Sequence, residues 1–190
     1  ALLALRSLLG CAGGATHLPD RGRAQALLDR LAAGERLRVA LSRALVDARH
    51  AGIWIRRETR NLPTMSLSRG TTIWDGRWRV SCDTSRDGLS VGAIGAEDAD
   101  AMSAAAGETP TSLVRATLAT EPGLFDGARP IGRLGSEASR EHGVAALPVV
   151  APYARFLPGF DLELAAALNR LIGAPELPAR PWKKHIAGRP

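Results

Sequence analysis

The side chains able to do chemistry in this 190-residue chain are few and scattered. Ser81-Cys82-Asp83 and Ser139-Arg140-Glu141-His142 each set a nucleophile type beside an acid or base type. Neighbours in sequence rarely converge on one reacting atom, so a hydrolase would need a pocket joining a Ser or Cys to a His and a carboxylate. The four histidines, His17, His50, His142 and His185, stand far apart without ligand spacing. Cys11 and Cys82 are the only cysteines, too few for a disulfide framework and without the CxxC spacing of a zinc site. Both are expected to be reduced and mostly buried. No catalytic residue and no metal ligand is assigned.

Arginine is what the chain has in quantity. Of its 25 basic residues only Lys183 and Lys184 are lysine, and the net charge is +6. Residues 1–82 hold 14 Arg against 6 acids, residues 83–126 hold 2 Arg against 8, and residues 127–190 hold 9 Arg and Lys against 5. Two basic blocks around an acidic one suit a protein that meets a polyanion on selected faces. The same richness in Arg, Ala, Gly and Pro follows from a GC-rich coding sequence whatever the function, so charge alone does not establish nucleic-acid binding.

The elements that would position these groups follow from periodicity. At 45% hydrophobic content the chain can bury a core, as one large or two small domains. No apolar run reaches the ~20 residues of a membrane span, and the opening leucines are interrupted by Arg6 and lack a signal peptide's pattern. A cytoplasmic, non-membrane protein is expected. The sequence begins at Ala1 inside a run that already reads as helix, as expected of a chain that continues upstream. Leu2, Leu5, Leu8 and Leu9 form one helical stripe that Gly13-Gly14 stops, and Arg23 to Ala33 makes a second, short amphipathic helix before Gly34.

From Leu37 the period becomes two, and residues 37–57 read as an antiparallel ribbon with a turn at Gly52. Asn61-Leu62-Pro63 opens a linker, placing a boundary between residues 1–62 and 63–174. Asp75-Gly76 predicts a turn, after which alternation sends Trp78 and Val80 to one face and Arg77 and Arg79 to the other. A strand over 89–94 follows, then a weak helix from Glu97 to Ala106 and a short one capped by Thr109-Pro110 through Leu118. A turn at Phe125-Asp126-Gly127, a late strand within 144–150, and a last helix capped by Asp161 and carrying Leu164, Leu168, Leu171 and Ile172 complete the second part. Residues 175–190 read as a Pro-rich basic tail. The fold class is α+β: N-terminal helices and an antiparallel ribbon, then a small mixed α/β C-terminal domain.

Three segments, in this order, resemble the bacterial tRNA(Ile)-lysidine synthetases. The first is the helix-turn-helix opening followed by Leu41 to Val46, the Gly52 turn and Trp54 to Glu58, where the family ends a strand on an Arg-Glu pair. The second and most specific is Trp74-Asp75-Gly76-Arg77-Trp78-Arg79-Val80. The third runs from Pro110 through Arg115 to Leu118 and on to Phe125-Asp126-Gly127. Together they cover most of the chain. It departs from the pattern at Ala40-Leu41-Ser42-Arg43, where the family often reads Thr-Leu-Gly-Gly.

The resemblance implies an enzyme that uses ATP, with Mg²⁺, to activate the wobble cytidine of the isoleucine tRNA with CAU anticodon and then attaches lysine. The family's ATP loop, Ser-Gly-Gly-x-Asp-Ser, does not occur here, so ATP and lysine are expected at an N-terminal domain outside this sequence, with no cofactor held by this part. The remaining role is to grip the body and acceptor-stem side of tRNA(Ile). Arginine suits it through bidentate phosphate contacts, and folded RNA is read mainly by shape, phosphate and 2′-hydroxyl, so the 4% aromatic content suffices. The candidate contacts are Arg77 and Arg79 on one strand face; Arg56, Arg57 and Arg60 at the end of the ribbon; Arg115 on its short helix; and Trp182, Lys183 and Lys184 in the tail. The competing reading is a protein-interaction module whose leucine helices bury against a second copy.

Overall fold

The computed structural model describes residues 1–85, 87–102, 111–154 and 161–177. The first helix, α1 (Leu2–Gly13), ends where Gly14 takes a left-handed φ of 67°, with the Gly14 N–H donating to the Cys11 carbonyl oxygen and the Ala15 N–H to that of Gly10. The second, α2 (Arg21–Ala32), begins two residues earlier than periodicity predicts, because the Asp20 side chain accepts from the Arg23 N–H and fixes the N-terminus there.

Residues 37–57 form three strands rather than a two-stranded ribbon: β1 (Leu37–Leu41), β2 (Ala44–Arg49) and β3 (Gly52–Arg57), paired antiparallel in that order. Leu41 pairs with Ala44, so Ser42 and Arg43 alone make the first turn, with φ of 52° and 65°. Two successive residues at positive φ define the tight hairpin turn that glycine or asparagine normally signals. Here Ser42 and Arg43, neither of them glycine or asparagine, make that turn.

A three-stranded antiparallel sheet follows, ordered β10-β6-β5, from β5 (Gly70–Trp74), β6 (Trp78–Cys82) and β10 (Val144–Pro148). The third sheet is ordered β4-β7-β8-β9, from β4 (Met65–Ser66), β7 (Leu89–Ala93), β8 (Pro122–Asp126) and β9 (Arg129–Arg133). The expected Gly127 turn therefore joins two strands. The second of them, β9, is hidden in the sequence by Pro130 and Gly132, residues tolerated at the edge position β9 occupies.

Helices α3 (Ala96–Met102), α4 (Thr111–Leu118), α5 (Glu137–Glu141) and α6 (Leu162–Ile172) complete the described residues. Asp161 holds the N-cap position of α6 without a side-chain cap hydrogen bond. The Thr109-Pro110 cap lies outside the described residues. Among the described residues every strand pairing is antiparallel, and the chain is α+β.

Two main cores result. Leu5 and Leu9 of α1 and Leu27 of α2 close over Leu37, Ala44, Val46 and Ala48, each leucine contributing roughly 1.5–3 kcal/mol by burial. Trp74, Val80, Cys82, Leu89, Val91, Leu124, Leu134 and Val144 form the second. A small third cluster, Cys11, Val150 and Leu168, ties α1 to α6. The leucine stripes considered for a dimer are thus largely covered by the chain itself, although Leu3 and Leu171 stay exposed. Both cysteines are free and buried, and burial pushes the Cys11 thiol up to about 11, which keeps it protonated and unreactive. Among the described residues no helix is long and apolar enough to cross a membrane.

Candidate functional site

Three turns meet at one point. The Gly13-Gly14 end of α1 abuts both the Ser42-Arg43 turn and the Asp75-Gly76 turn. A Cβ on Gly13 would lie 1.9 Å from the Ser42 carbonyl oxygen, one on Gly14 1.9 Å from that of Asp75, and one on Gly76 2.1 Å from that of Gly14. Only glycine allows backbone to approach backbone this closely, so these glycines weld the first sheet to the second.

The Asp75 carboxylate sits at that junction with 0% exposure. It accepts two hydrogen bonds from Arg57, Nε at 3.0 Å and Nη2 at 3.0 Å, one from Arg77 Nε at 2.8 Å, and one from Arg43 Nη2. Arg57 has a side chain only 1% exposed and also donates to the carbonyl oxygens of Arg43, Glu58, Arg60 and Asn61. It ties the end of the first sheet to the turn of the second. Three guanidiniums thus converge on one buried carboxylate, and the bidentate contact with Arg57 suits the planar fork of arginine.

Arg77 does not share a strand face with Arg79. The strand begins at Trp78, Asp75 and Gly76 both adopt positive φ, and Arg77 still belongs to the connection. Its side chain, 12% exposed, folds back over the Trp74 ring at 5.7 Å, donates to the Thr120 carbonyl oxygen and faces Glu121 at 3.7 Å. Burial lowers its pKa, and the adjacent Asp75 and Glu121 oppose that shift. Alternation fails for Arg77 because a buried carboxylate two residues earlier in the turn claims the cation.

The other candidates are placed apart. Arg56 belongs to the outward face of the first sheet yet is buried. Arg60 is 75% exposed and paired with Glu58, while Arg115, half exposed, pairs with Asp100 of α3. Arg79 stands on the open face of the β10-β6-β5 sheet. Pairing puts it between Ile73 and Leu147, and the next row on that face is Thr71, Ser81 and Ala145. Ile73 and Leu147 are 42% and 50% exposed. Trp182, Lys183 and Lys184 lie outside the described residues.

Two concavities border this open face. One, of about 540 Å³, takes in Ile73, Ser42, Arg43, Gly76 and the loop 14–20. The other, of about 420 Å³, lies at the Thr71 and Ser81 end and adds Arg69 and Arg140. The face therefore runs from Arg43 past Arg79 to Arg69 and Arg140, with Asp83 the acid in the second concavity. Arg43, Arg69 and Arg140 did not stand out in the sequence. Arg69 and Arg140 are 71 residues apart and come together through the pairing of β6 with β10, which strand alternation within one segment cannot reveal. Ser81 and Cys82 border the same concavity, but no histidine lines it, so the hydrolase arrangement is not assembled there.

The chain is 47% identical over 187 residues, 98% of its length, to the tRNA(Ile)-lysidine synthase of Mesorhizobium japonicum. It is 30% identical over 183 residues, 95% of its length, to that of Rhizobium meliloti. It spans 41% and 38% of these relatives, about two fifths of their length. No family model and no solved structure matches it.

Proposed function

Because this chain is homologous to a segment of the tRNA(Ile)-lysidine synthases, we propose that it is the tRNA-holding C-terminal part of such an enzyme, carrying no chemistry of its own. In this reading the ligase forms its C–N bond at the wobble cytidine in an N-terminal domain outside this sequence, where ATP, Mg²⁺ and lysine bind. The Ser-Gly-Gly-x-Asp-Ser loop does not occur in the chain, and among the described residues no group of three or more His, Cys, Asp or Glu could hold a metal ion. The whole protein is assigned to the cytoplasm, where its tRNA is.

The observation that carries the proposal is the open β10-β6-β5 face with Arg79 at its centre and Arg69 and Arg140 at its border. Chemistry at an anticodon leaves most of the tRNA body free, and a second grip on the acceptor-stem side orients it. A shallow sheet face with separated arginines meets phosphates and 2′-hydroxyls of a folded helix without reading bases. Arg60 and Arg115, exposed and ion-paired with Glu58 and Asp100, extend the contact, and Lys183 and Lys184 with Trp182 supply a further basic clamp. Arg57 and Arg77 act by holding the Asp75 turn that fixes the start of β6.

Replacing Arg69 and Arg79 together by Ala tests this by titration of tRNA at several salt concentrations. Affinity falls, the slope of log affinity against log salt shrinks by roughly 0.7–0.9 per lost phosphate contact, and unfolding free energy changes by under about 0.5 kcal/mol because neither side chain is in a core. Unchanged affinity and slope would remove this face from the interface.

A further inference from the structure

The outward face of the first sheet carries a second, differently built surface. Pairing aligns Arg38, Asp47 and Trp54 in one row and Ala40, Leu45 and Arg56 in the next, with Arg49 opposite Gly52. These side chains point away from the core, which takes Leu37, Ala44, Val46 and Ala48 from the alternate positions. Arg49 grips Asp47 with two hydrogen bonds, of 2.7 and 2.8 Å. Three guanidiniums thus face one carboxylate, and the surface keeps an excess of positive charge.

Trp54 is set as a platform. A Cβ built on Gly52 would lie 3.4, 3.6 and 3.7 Å from three successive atoms of the indole six-membered ring. Such nearly equal distances mean that the ring presents its plane, not its edge, to the sheet above Gly52. Its opposite plane is therefore turned outward, in keeping with the half-buried state of the side chain. Arg56, one row along, is 8% exposed, and its Nε has no hydrogen-bond partner among the described residues. A buried cation without an acceptor at that atom is a standing cost, relieved when an anion settles nearby. Burial and the neighbouring Arg38 also lower its pKa, with Asp47 opposing.

We propose that this face binds an unpaired RNA nucleotide, with its base stacked on Trp54 and its phosphate held by Arg38 and Arg56. The inference rests on the reading that the chain holds RNA, but it assigns a separate surface and a different chemistry: stacking of a splayed base, where the Arg79 face meets a folded helix. Base-on-aromatic stacking tolerates any base and is lost when the π-face is removed.

The test uses the chain with a single-stranded RNA of about ten nucleotides and the same strand annealed to its complement. Trp54→Leu keeps an apolar side chain without an aromatic plane and is expected to weaken the single strand about tenfold while leaving the duplex within about twofold. Trp54→Phe, which retains a ring, recovers most of the affinity, and Arg38→Ala lowers the single-strand salt slope by roughly 0.7. Equal loss on both RNAs, equal behaviour of the Leu and Phe variants, or no loss would overturn the stacking site. The Arg69 and Arg79 variants separate the two claims: they weaken tRNA and duplex if the helix-gripping reading holds. Their failure with the Trp54 effect intact would sink that reading alone.

Discussion

Arginines at the Asp75 junction and arginines on the open sheet faces are the same residue type under opposite constraints. At the junction, Arg57 and Arg77 are almost wholly buried, and they serve a single carboxylate with 0% exposure. On the β10-β6-β5 face, Arg79 is exposed between Ile73 and Leu147. Guanidiniums already committed to a buried carboxylate and to carbonyl oxygens have few donors left for a phosphate. Those standing on a pleated surface keep theirs. A count of positive charge per block therefore overstates what is available to a polyanion, because Arg57 and Arg77 of the basic first block are turned inward to hold two sheets together.

The comparison is broken most severely at Asp75. Asp75→Ala leaves three cations converging on an empty position, and breaking a buried ion pair of this kind costs about 3–5 kcal/mol. Denaturant unfolding should show that loss, with tRNA affinity falling only as far as the folded fraction does. A change in affinity with no change in stability would mean that the junction arginines contact RNA directly. Next comes Gly76→Ala, whose Cβ would meet the Gly14 carbonyl oxygen at 2.1 Å in a backbone with φ of 72°. Overpacking there should cost roughly 1–3 kcal/mol, measured as a lowered Tm.

Ser42→Gly moves the other way. A non-glycine residue at φ of 52° carries local strain of roughly 1 kcal/mol, and glycine releases it, so the midpoint of unfolding should rise; an unchanged or lowered midpoint would show that Ser42 is not strained there. The smallest effect belongs to Asp47 on the outward face of the first sheet. Hydrogen bonding to Arg49 holds its carboxyl below the usual aspartate range, against the raising effect of burial. A depressed native pKa contributes stability that is present above the unfolded value and is lost as pH falls through the native one. Wild type should therefore lose under about 1 kcal/mol relative to Asp47→Asn below about pH 4, and parallel stability curves for the two proteins would refute the pairing.

Local signals located most elements. The leucine stripe of α1, its Gly13-Gly14 stop, the alternation at Leu37 to Leu41 and the Asp75-Gly76 turn each express a preference settled within a few residues, and each appears where it was read. Three strands escaped, one of them the two-residue β4 inside the stretch read as a linker. The hairpin between β1 and β2 uses Ser42-Arg43 in a conformation that neither residue advertises, and β9 contains Pro130 and Gly132. In both cases packing overrode propensity. The platform at Trp54 was partly legible, since Ile53-Trp54-Ile55-Arg56 alternates in period two and puts Trp54 and Arg56 on one face. That this face is the outward one follows only from where α1 and α2 pack.

The order of its residues alone determined that this chain is α+β, rich in arginine and similar to the tRNA(Ile)-lysidine synthetases, because helix stripes, strand alternation and turn chemistry are short-range properties. Which arginines remain available to a partner was decided by tertiary structure. Asp75 gathers Arg43 from a hairpin turn, Arg57 from the end of β3 and Arg77 from its own connection, and β10 pairing brings Arg140 beside Arg69. Charge neutralisation in a buried place depends on which segments meet, and that is set by packing across the whole chain.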